Sequence, residues 1–129
     1  MKNWKEFKGK PNRMRLDEPR VTLNKKGIFL LNKAAFEALG EPSVVKLFFD
    51  QRSNAVGIAK TEPIYENAFP VKPKDKYSNR VICASPACRD FGVRVDRTIA
   101  FNGIEIGHDG IMSLEFDKST VIGRAGRRE

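Results

Sequence analysis

The sequence holds one histidine, two cysteines and no long apolar run. Each scarcity removes a class of answer. His108 sits in a polar turn, residues 107–110, and has no second histidine to share a metal or a Ser-His-Asp relay with. His108 with Asp109 and Glu105 is at most an adventitious cation contact. Cys83 and Cys88 lie five apart across a strand-to-helix junction. That spacing suits neither a single helix face nor a zinc knuckle, so both read as free thiols of a reducing compartment. The longest apolar stretches, residues 28–31 and 44–49 with Lys46 inside the second, fall far short of the roughly 18–20 residues a membrane helix needs. The N-terminus opens on alternating charge rather than an apolar signal segment. Glycines are too sparse for a phosphate-cradling loop, since Gly107 and Gly110 precede a strand rather than a helix. Paired carboxylates such as Asp90 and Asp96 carry no signature beyond surface charge. The expectation is a cytoplasmic protein with no cofactor, no metal, no membrane contact and no enzymatic activity.

Charge is abundant and unevenly placed. The 129 residues carry a net +8. Residues 1–26 hold nine cations, from Lys2 to Lys26, against Glu6, Asp17 and Glu18. Lys72, Lys74, Lys76 and Arg80 add a second basic stretch, and Arg124, Arg127 and Arg128 a third. Basic segments at the ends and in the middle suit contact with a polyanion. In the N-terminal segment Trp4 and Phe7 lie three apart and are expected to anchor that segment onto the body.

The length suits one domain, and within it one pattern occurs twice. Residues 21–60 read strand, turn, strand, short helix, strand, turn, strand; residues 80–117 repeat the strand–helix–strand order with a further hairpin. An internal echo of about 40 residues constrains the whole architecture. Val21 and Leu23 flank Thr22, residues 24–27 make a glycine turn, and residues 28–31 form a second strand. Asn32 is placed to cap a helix over residues 33–39, which Gly40 and Pro42 end. In the second copy Ser85 is expected to cap a helix with Pro86 at its first position. Asn102-Gly103, between alternating runs, predicts a type I′ hairpin. Pro63, Pro70 and Pro73 make residues 61–79 an extended surface connector, never a central strand. Residues 1–19 read as a basic arm and residues 118–129 as a flexible basic tail.

The run Gly27-Ile28-Phe29-Leu30-Leu31-Asn32-Lys33-Ala34-Ala35-Phe36-Glu37-Ala38-Leu39-Gly40 resembles the AbrB/MazE/MraZ swapped-hairpin family. The likeness lies in a glycine, an alternating apolar strand, a short helix and Leu-Gly, followed by a hairpin. The second copy matches in outline through residues 81–84 and Phe91-Gly92. The family's arginine, proline and helix arginine fall here at Ile28, Asn32 and Phe36, and in the second copy its proline and helix arginine fall at Ala84 and Cys88. Lys33 is the main cation kept in place. The resemblance implies a mainly β fold with short helices (α+β), a pseudo-two-fold swapped-hairpin β-barrel built from two internal copies in one chain. It would act as a monomeric pseudo-dimer or a homodimer. The implied function is a small DNA-binding regulator or antitoxin-like repressor that contacts double-stranded DNA through Arg13, Arg15, Arg20, Lys25, Lys26 and Lys33. The alternative is a protein-interaction or accessory module on the same barrel, with a protein partner in place of DNA. A basic face shared by Lys25, Lys26, Lys74 and Lys76 would favour nucleic acid, and scattered cations would favour a role in solubility.

Overall fold

The computed structural model describes residues 3, 4, 6, 18–76 and 78–122. Alternating apolar residues and their breakers produce short elements throughout. They are β1 (Val21–Leu23), β2 (Ile28–Leu31), α1 (Lys33–Ala38), β3 (Val44–Asp50), β4 (Ala55–Lys60), β5 (Phe69–Pro70), β6 (Lys72–Pro73), β7 (Arg80–Cys83), α2 (Ser85–Phe91), β8 (Ile99–Phe101), β9 (Glu105–Ile106), β10 (Met112–Glu115) and β11 (Ser119–Val121). A 3₁₀ turn covers Phe116–Lys118.

The strands form two antiparallel sheets, ordered β11-β8-β1-β2-β7-β6 and β5-β3-β4-β10-β9. In the first, β2 pairs with β7, Ile28 opposite Cys83 and Leu31 opposite Arg80. At the centre of the second, β4 pairs with β10, Val56 opposite Leu114 and Ile58 opposite Met112. Inward side chains of both sheets meet in one core built on Leu23, Phe29, Leu31, Val45, Ile58, Ile82, Met112 and Leu114. Phe29, Phe101 and Phe116 run through it in ring contact, at 6.4 and 5.4 Å between successive centroids. β1 is buried at all three positions, Thr22 included, because β8 and β2 flank it.

The mainly β architecture with short helices follows the sequence; the closed barrel does not. Both sheets are open among the described residues, ending at β11 and β6 in one and at β5 and β9 in the other. The connector supplies two of those edges. β5 and β6 are two residues each and contain Pro70 and Pro73, which lack the N–H needed to extend a ladder.

Asn32 shows how local chemistry fixes the fold. Its Oδ1 accepts from Ala35 N at 2.9 Å, capping α1, and from Arg20 N at 2.9 Å. Its Nδ2 donates to the Glu18 carbonyl at 2.9 Å. One side chain thus caps a helix and ties down the segment leading into β1. Asn32→Ala is expected to destabilise the protein by about 1–2 kcal/mol in urea unfolding, with Asn32→Asp, which keeps the accepting oxygen but loses the donation to the Glu18 carbonyl, recovering only the capping part. A change below about 0.5 kcal/mol would refute the double role.

Several local expectations are corrected. Asn102-Gly103 does not close a hairpin. β8 lies in the first sheet and β9 in the second, so the dipeptide carries the chain from one sheet to the other. Gly103 has φ +64° but Asn102 is not in the left-handed region. Asn102 N donates to Lys118 O at 2.7 Å and its side chain to Thr120 at 2.9 Å, so β11 becomes the neighbour of β8. Residues 119–121, expected in the tail, are that strand, and residues 123–129 lie outside the described residues. Ser85 is the first residue of α2 rather than its cap; Ala84 holds the cap position with no side-chain bond. Trp4 is 83% exposed, and Phe7 lies outside the described residues. No helix among the described residues is long and apolar enough to cross a membrane.

Candidate polyanion-binding cleft

The β1–β2 turn is held from inside by Asn24. Its Oδ1 accepts from Lys26 N at 2.9 Å and from Ile28 N at 3.1 Å, and its carbonyl from Gly27 N at 3.0 Å. Lys25 and Lys26 are left exposed on the outside of this closed loop. Gly27, at φ +80°, lets the loop press on the start of α2, where Ala84 N donates to Gly27 O at 2.8 Å. A β-carbon on Gly27 would stand 2.9 Å from Ser85 Cα. Only glycine permits that approach.

α2 and the segment that follows it bring the second pair of cations. Arg89, one turn beyond Ser85, donates from Nη1 to Ser85 Oγ at 3.2 Å. Gly92 ends the helix at φ +76°, with Gly92 N on Arg89 O and Val93 N on Cys88 O. The next residues alternate, Val93 and Val95 packing toward the core while Arg94 is exposed. Phe91 stacks on Phe49 of β3 at 5.3 Å and pins the helix to the second sheet.

Between turn and helix lies an open cleft of about 420 Å³. Lys25, Lys26, Arg89 and Arg94 line its rim and Leu23, Cys88, Val93 and Val95 its floor; among the described residues no carboxylate lines it. Four cationic side chains line the cleft with no carboxylate among them, so its electrostatics favour an anion over a cation. By contrast, a cleft of about 300 Å³ on the outer face of the second sheet is lined by Asp50 and Asp109 and, among the described residues, by no cation. There the Asp50 carboxyl is held below its ordinary pKa, chiefly by the Ser53 hydroxyl at 2.8 Å.

The cleft offers poor covalent chemistry. Burial pushes the Cys88 thiol above its ordinary pKa, so it is a neutral floor residue rather than a thiolate. Cys83 is exposed and does not line the cleft. His108 is exposed in the β9–β10 turn, and among the described residues no three His, Cys, Asp or Glu side chains are grouped to hold a metal ion.

Of the six cations named from sequence, the structure brings Lys25 and Lys26 to the cleft. Arg13 and Arg15 lie outside the described residues. Arg20 and Lys33 lie elsewhere: Arg20 lines a separate hollow with Glu18 and Asn102, and Lys33 faces Glu37 at 3.9 Å along α1. The turn bearing Lys74 and Lys76 precedes β7 and so stands at the opposite end of the β2–β7 ladder from Lys25 and Lys26. The cleft's other two cations, Arg89 and Arg94, were missed. Their signals were the i, i+4 spacing of Ser85 and Arg89 and the alternation Val93-Arg94-Val95. Comparison with protein-family models, curated proteins and solved structures finds no match for this chain.

Proposed function

We propose that this protein binds double-stranded DNA through its phosphate backbone, as a small regulator or repressor, with the β1–β2 turn and α2 as its gripping surface. The observation that carries the reading is the convergence of Lys25, Lys26, Arg89 and Arg94 on one cleft free of carboxylates among the described residues. Phosphate contacts of this kind give affinity and orientation with little sequence reading. Residues 1–20 and 72–80 add positive charge that strengthens attraction at longer range.

The strand order supports a swapped-hairpin relation between the two halves. β1-β2-β7-β6 and β3-β4-β10-β9 each place corresponding strands of residues 21–60 and of the later half on either side of a central antiparallel pair. A hairpin that leaves its own half to pair with the other would produce this order. On this reading the chain is a pseudo-dimer of two AbrB-like copies, with β8 and β11 added to the second.

Four phosphate contacts give an expected slope of about −3.6 for log affinity against log salt. Lys25→Ala with Lys26→Ala should reduce its magnitude by about 1.8. Fluorescence anisotropy with a labelled duplex across a salt series measures both. No binding at low salt, or a slope unmoved by the double substitution, would overturn the reading.

A second reading has its own observation. Phe48, Ile64 and Tyr65 are 41%, 79% and 47% exposed, and Lys46 of β3 lies 4.1 Å over the Tyr65 ring. Exposed apolar groups on and beside β3 fit an accessory module with a protein partner. Binding to such a partner would persist at salt concentrations that strip a phosphate binder.

A further inference from the structure

The floor of the cleft is not needed to grip a duplex. Phosphates on a double helix lie along an outward-facing ridge, and rim cations reach them without help from below. Yet the half-buried Val93 and Val95 give the cleft an apolar base beneath the four charges, with the buried Leu23 and Cys88 also in its lining. A volume of about 420 Å³ falls in the range of small-molecule sites, roughly 300–1,000 Å³, which are mostly apolar with a few convergent polar groups.

We propose that the cleft is also the site of a small phosphate ester of nucleotide size, and that this ligand and a DNA duplex exclude one another. The ligand's apolar or aromatic body rests on Val93 and Val95, the half-buried part of the floor. Its phosphate sits among Lys25, Lys26, Arg89 and Arg94, with the Ser85 hydroxyl within the same lining. Two requirements follow. A phosphate without a body loses the floor, and a body without a phosphate loses the rim. Because one set of cations serves both partners, the ligand acts as a releasing signal for DNA. The mutual exclusion rests on the DNA reading above; the ligand site itself does not.

The test uses the full-length chain with adenosine 5′-monophosphate, inorganic phosphate and adenosine as probes, in calorimetric titrations at matched ionic strength. The nucleotide is expected to bind at least about tenfold more tightly than either of the others. Val95→Thr, nearly isosteric, should weaken the nucleotide and leave inorganic phosphate unchanged. Arg94→Ala, at an exposed position with no packing role, should weaken both. In competition anisotropy the nucleotide should displace a labelled duplex while adenosine does not. A nucleotide no tighter than inorganic phosphate overturns the ligand site and leaves DNA binding standing. Simultaneous binding of nucleotide and duplex overturns the exclusion. Tight nucleotide binding with no duplex binding at all leaves the ligand site in place and removes the DNA reading.

Discussion

Gly27→Val is expected to lower stability by about 2–6 kcal/mol and to break the cleft apart. Two costs add at this position. The backbone stands at φ +80°, where a β-branched residue is strained by about 1–3 kcal/mol. The new β-carbon would also lie 2.9 Å from Ser85 Cα and 3.2 Å from Ser85 N, which are backbone atoms that cannot swing aside. Forcing the turn and α2 apart costs a further 1–3 kcal/mol or so, as overpacking does. The bond from Ala84 N to Gly27 O at 2.8 Å would stretch with them. Against a typical total of about 5–15 kcal/mol, such a loss is large. Gly92 provides the comparison. It has φ +76°, yet a β-carbon there meets nothing within 4 Å. Gly92→Ala should therefore cost only about 1 kcal/mol of strain. Urea unfolding of the two variants separates strain from collision. If Gly27→Val fell within about 1 kcal/mol of Gly92→Ala, the close approach of turn and helix would be refuted.

The same pair of glycines indicates what was readable beforehand. Residues 24–27, Asn32 and Gly40 each announce a local event whose partners lie a few residues away, and the structure contains all three as expected. Asn32 accepts from Ala35 N, and Gly40 takes φ +90° just past α1. Expectations failed where a distant strand decided the outcome. Asn102-Gly103 had every local feature of a hairpin, but β8 found better neighbours in β1 and β11. Ser119-Thr120-Val121 is too short and too polar a run to declare itself a strand; it becomes one because β8 needs a partner. Barrel closure was lost for a comparable reason, since two-residue strands ending in proline occupy edges that the barrel would have required to pair.

The site divides along the same line. Lys25 and Lys26 were visible because a turn projects its residues whatever surrounds it. Arg89 and Arg94 were not, because only the packing of Gly27 on Ser85 brings α2 under that turn. Arg20 and Lys33, named from sequence alongside Lys25 and Lys26, are elsewhere in space.

That difference gives the strongest functional prediction. Arg89→Glu with Arg94→Glu turns the rim from four positive charges to a balanced set. At 0.1 M salt each lost phosphate contact is expected to cost about eightfold in affinity. Two losses with added repulsion should weaken duplex binding by about 100-fold or more, and most of the salt dependence should vanish with them. Both arginines are exposed. The fold should lose only about 0.5–1 kcal/mol, mainly because Arg89→Glu puts a carboxylate in the last turn of α2, where the helix favours a cation. Arg20→Glu with Lys33→Glu changes the net charge by the same amount at positions off the cleft. It should weaken binding only about two- to fivefold, through the general field of the molecule. Equal losses in the two double variants would mean that charge acts without a site, and the cleft would lose its claim to the DNA. A large loss confined to the Arg89 and Arg94 pair would place the phosphates where the turn and α2 meet.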